Sequence, residues 1–89
     1  MSIWIVNYEE NEIRIEAGSL LFTNSYKLFV NNKLQDEKLN NWSFNNLTGH
    51  LISKDGKNLS IKVNVGNGCR LFVDDEKIEV TKVKTKPLG

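Results

Sequence analysis

Between Leu59 and Val80 apolar and polar positions alternate with the period of two that a β-strand imposes on its side chains. Leu59, Ile61, Val63 and Val65 fall on one face, and Ser60, Lys62 and Asn64 on the other. Gly66-Asn67-Gly68 interrupts the run, and Cys69, Leu71 and Val73 then resume it. This predicts an antiparallel hairpin closed by a tight glycine-rich turn. Asp74-Asp75 marks a second turn, beyond which Ile78 and Val80 alternate again. The stretch is therefore read as a three-stranded meander with one apolar face, which the rest of the chain must cover.

The same pattern organises the first half. Ile3 to Tyr8 is apolar on both faces and predicts a sandwiched strand, and Glu12 to Glu16 turns Ile13 and Ile15 inward. Ala17 to Ser25 breaks the rhythm with Leu20, Leu21 and Phe22. Loops of this length in small domains usually tuck such residues in, so the expectation is a plug for the open end of the core, with an exposed contact surface as the alternative. Tyr26 to Val30 predicts a third strand, turning at Asn31-Asn32 into a short fourth around Lys33 to Gln35. Asp36 to Asn41 is polar and has room for one helical turn at most. Trp42-Ser43-Phe44 opens the next strand, which ends at Ile52. Gly49 within it signals a bulge or a close backbone approach. Asp55-Gly56 suggests a type I′ turn. Thr81 to Gly89 reads as a frayed polar terminus. With no helical periodicity, the chain is expected to be all-β, a compact antiparallel β-sandwich or flattened barrel of about eight short strands. Residues 1–83 form the single domain and 84–89 a flexible tail.

Eighty-nine residues at 39% hydrophobic content supply one core. The lone cysteine excludes an internal disulfide and fits a reducing compartment. Neither a signal peptide nor a membrane span is evident, so a soluble cytoplasmic protein is expected. A net charge of +1 does not suggest binding driven by phosphate neutralisation, and no nucleic-acid partner is expected.

The chain also echoes itself. Lys27 to Asn32 matches Arg70 to Asp75 position for position, with Ile13 to Glu16 and Ile61 to Asn64 as similar strands upstream. These residues are similar to the β-domain of the Fas apoptosis inhibitory molecule family. The likeness runs through Ile3-Trp4-x-Val6, Ile13-x-Ile15-Glu16, Leu28-x-Val30-Asn31-x-Lys33, Trp42-x-Phe44, Leu47-x-Gly49 and Leu71-x-Val73-Asp74. It implies a compact antiparallel β-sandwich that binds other proteins and has no catalytic centre. The chain has one such module where the animal proteins usually have two, an extra residue between Phe44 and Leu47, and Asn-Asn where they favour Asp-Gly.

Candidate chemistry is sparse. His50 and Cys69 fall on different strands, and alternation places Cys69 inward as a small apolar residue, so no nucleophile pair, catalytic residue, metal site or cofactor is expected. The acidic groups at Glu9-Glu10, Asp36-Glu37 and Asp74-Asp75-Glu76 are read as solvated turns. The expected function is non-enzymatic protein–protein binding through Leu20, Leu21 and Phe22. An adaptor or small inhibitor of bacterial, phage or mobile-element origin, monomeric or weakly dimeric, fits this description. The alternative is a carbohydrate or nucleotide site in which Trp42 stacks and Asn41 and Asn45 hydrogen-bond, although Trp42 and Phe44 also fit as core residues of one strand face.

Overall fold

The alternating stretches become strands, and their apolar faces meet. The computed structural model describes residues 1–83, which form nine β-strands and no helix. They are β1 (Ser2–Tyr8), β2 (Asn11–Ser19), β3 (Asn24–Val30), β4 (Lys33–Asn40), β5 (Asn45–Ile52), β6 (Asn58–Val65), β7 (Cys69–Val73), β8 (Glu76–Ile78) and β9 (Thr81–Val83). Two antiparallel sheets result, ordered β4-β3-β2-β1-β9 and β5-β6-β7-β8. Trp4, Ile13, Ile15, Tyr26 and Leu28 from the first sheet and Leu47, Ile61, Val63, Val65 and Leu71 from the second fill the shared core. Each fully buried Ile or Leu contributes about 1.5–3 kcal/mol of transfer free energy. The molecule is an all-β sandwich.

Each sheet contains one four-stranded meander of the same design. Ile13 opposes Val30 and Ile15 opposes Leu28 in the first; Ile61 opposes Val73 and Val63 opposes Leu71 in the second. Trp4 opposite Ile15 corresponds to Leu47 opposite Val63. The turn bonds also correspond. Asn31 N donates to Glu12 O at 2.8 Å and Asp74 N to Ser60 O at 2.9 Å. The Asn31 and Asp74 Oδ1 atoms accept from the backbone N–H of Glu12 and Ser60 at 2.9 and 3.1 Å. The copies differ in one connection that decides the architecture of the site. Eight residues, 18–25, separate the paired Ala17 and Tyr26, whereas only Gly66-Asn67-Gly68 separate Val65 and Cys69.

Several expectations change. The β2–β3 hairpin continues through Ser19 and Asn24, so the connection spans only residues 20–23. The polar run after Gln35 is strand, because β4 lies at a sheet edge, where both faces can be wet. A register shift between Leu28 and Phe29 leaves Gln35 as an extra residue on β4. Residues 81–83 do not fray but pair with β1, while the tail expected at 84–89 lies outside the described residues.

The turn chemistry is also redistributed. Only Gly56 has positive φ near Asp55, and Gly56 N donates to Ser53 O at 3.0 Å, giving a type I turn with a following left-handed glycine. The type I′ turns are instead Glu9-Glu10, Asn31-Asn32 and Asp74-Asp75, where both residues have positive φ without any glycine. The Ser53 hydroxyl donates to the Asp55 carboxylate and holds its pKa below the ordinary value.

Candidate functional site

The topology sends every strand between two ends of unlike character. One end holds the turns Glu9-Glu10, Asn31-Asn32, Lys54–Gly56 and Asp74-Asp75, all polar. Its amides are bonded to one another. Asn31 Nδ2 donates to Asn11 Oδ1 at 2.9 Å, and Asn11 Nδ2 donates to Ile52 O at 2.8 Å, tying the first sheet to the end of β5. The clasp continues along β5, where Gln35 Oε1 accepts from His50 N at 2.7 Å and Gln35 Nε2 donates to His50 O at 2.9 Å. Asp36 Oδ2 accepts from Thr48 N at 2.8 Å. Side chains of β4 thus occupy an edge of β5 that would otherwise offer free backbone groups. Gly49 is required by this clasp: an added Cβ would meet the Gln35 amide and lie 3.0 Å from Leu28 Cδ2. Of the two expectations for that glycine, the structure has close approach.

The opposite end holds residues 20–23, the 41–44 segment and the Gly66–Gly68 turn. Leu21 is 87% and Phe22 83% exposed, with Leu20 also exposed. The plug expectation is therefore wrong. Gly18 and Ser19 extend the hairpin outward beyond the core, so the turn is carried away from the open layer. Its shape is set by Leu20 N donating to Thr23 O at 2.7 Å.

Trp42, 70% exposed, and Phe44 lie outside any strand, which corrects both the strand and the core expectation for them. The reason lies in Asn40 and Asn45. Their amides bond reciprocally at 2.8 and 3.1 Å, and Asn40 Oδ1 also accepts from Trp42 N at 3.0 Å. The chain between them is thereby held as an excursion, anchored to the core by the buried Tyr26, whose hydroxyl donates to Trp42 O at 3.0 Å. Asn45 spends its amide on this brace. Asn41 is exposed beside it, and two cavities at this end are lined by Phe44 and by Ser43 respectively, not by Trp42.

Two exposed apolar residues at this end escaped the sequence reading. Met1 lies at the start of the chain, and Leu39 faces outward opposite Ser25. Leu39 carries no periodic signal, because the only other apolar residue of β4 is Leu34, five positions away and also exposed.

The structure does not bring Cys69 and His50 together. Cys69 opens β7 and packs against the core, and burial pushes its thiol up to about 12. His50 is exposed on the outer face of β5, opposite Ser60. Among the described residues no three His, Cys, Asp or Glu side chains group as metal ligands. Comparison with protein-family models, with curated proteins and with solved structures finds no match.

Proposed function

We propose that the chain is a non-enzymatic binding module, an adaptor or small inhibitor, that recognises another protein through its apolar end. Leu21 and Phe22 serve as the anchors, with Leu20 and Trp42 completing the surface. The carrying observation is the longer connection of the first meander. Eight residues lie between the paired Ala17 and Tyr26 against three between Val65 and Cys69, an excess of five, and three of the eight are large, apolar and exposed. Contiguous exposed apolar groups on a small domain favour association, and a loop held on a rigid sheet presents them at low ordering cost. The resemblance to a protein-binding β-domain family supports the same reading.

The test is the affinity of a partner recovered from the source cells for wild type and for the double variant Leu21→Ser/Phe22→Ser. The expected loss is about 2 kcal/mol or more, because buried apolar anchors dominate interface energetics. The melting temperature should stay near that of wild type, since these side chains are exposed in the free protein. Unchanged affinity in a folded double variant would overturn the proposal.

A further inference from the structure

The near-neutral charge of the chain conceals a segregation produced by the fold. The six ion pairs of the described residues engage Arg14, Lys27, Lys54, Lys57 and Lys62. Arg70, Lys77 and Lys82 take part in none of them, and all three line one groove of about 790 Å³ where the sheets part beside β8 and β9. Asn46, Asn64 and Phe44 line it too, and among the described residues Glu79 is its only acidic one.

The groove shares Asn46 and Asn64 with a second cavity of about 500 Å³ on the outer face of the β5–β8 sheet. Lys62 and Phe72 line that cavity, together with Asp75, which pairs with Lys62 at 3.6 Å. The register explains the continuity. Asn46, Asn64 and Arg70 form one cross-strand row, and Thr48, Lys62, Phe72 and Lys77 form the next, about 7 Å along the strands. Four cations against two carboxylates make this surface more positive than the whole chain, whose net charge is +1.

The geometry points to a single-stranded nucleic acid as the ligand of this track. Cations free of ion pairs suit a phosphate backbone. Phe44 and Phe72 offer rings on which unstacked bases can lie, and the asparagine amides can bond base edges. Two aromatic platforms joined by a basic row favour a strand over a compact anion. Neither Leu21 nor Phe22 lines the track.

The probe is a fluorescently labelled twelve-nucleotide oligo(dT) or oligo(U), followed by anisotropy against the purified chain. Binding is expected at about 1–100 µM in low salt, weakening with log salt at a slope of roughly −2 to −3 for three or four phosphate contacts. Arg70→Ala/Lys77→Ala should weaken it by about tenfold or more and flatten the slope. Phe72→Leu keeps an apolar side chain at this half-buried position and should cost about fivefold with the slope unchanged. Lys33→Ala/Lys38→Ala removes two cations from elsewhere and should leave binding intact, as should Leu21→Ser/Phe22→Ser. Absence of binding at 100 µM protein in low salt overturns the assignment. So do tighter binding of the matching duplex and an equal loss in the Lys33/Lys38 variant.

Discussion

At position 69 strand alternation turns a thiol toward the core, and the consequence is chemical as well as structural. Burial pushes the Cys69 pKa from an ordinary 9.0 up to about 12, so the folded protein holds almost no thiolate at pH 8. Labelling by a chromogenic disulfide reagent should be slow in the native state and fast in denaturant; rapid native labelling would contradict the inward placement. The sign of the linkage follows. Below pH 9 both states keep the proton, and this site adds no pH dependence to stability. Between pH 9 and about 12 the unfolded chain ionises while the folded chain resists, so stability falls as pH rises through that window. Replacing Cys69 with Ala should flatten urea-midpoint profiles over this range. The inward side of residue 69 was legible from Leu71 and Val73 on the same face. The exposure of Phe22 and Trp42 was not, because hydrophobicity alone favours burial and only backbone geometry decides otherwise.

At the scale of elements, alternation revealed the strands whose two faces differ and missed those whose faces do not. β6 and β7 were evident because Ile61, Val63, Leu71 and Val73 repeat every second residue. β4 was cut short because Lys33–Asn40 is polar on both sides, as an edge strand can be. β9 was missed because its three residues are all exposed. Trp42-Ser43-Phe44 imitated a strand by its spacing, while the amide brace between Asn40 and Asn45 prevents one. No local pattern announced the Gln35 clasp, which needs a bulge on β4 to meet β5. Gln35→Ala should cost about 1–3 kcal/mol, since it leaves the His50 N–H and C=O without their partner. Hydrogen exchange should show the His50 amide losing protection while Ile61 retains it. Equal protection of His50 in both proteins would mean that water replaces the side chain without loss.

At the scale of the whole molecule, two meanders of one design make a scaffold whose ends differ in chemistry. One end is closed by short polar turns bonded to each other; the other displays Leu21, Phe22 and Trp42 on connections that the core does not require. The internal echo in the sequence foreshadowed this design, since the Leu28–Val30 and Leu71–Val73 strands occupy equivalent places. The second meander closes the same hairpin with three residues, so the fold does not need the extra five, and the proposed function gives them the role of recognition. The most direct measurement replaces residues 18–25 with Gly-Asn-Gly, the connection of the second copy. Immobilised wild-type and shortened chains, each shown by melting to be folded, are then compared for the proteins they retain from the source cells by quantitative mass spectrometry. A partner enriched on the wild type should be lost from the shortened chain. Retention of the same partner by both would contradict it.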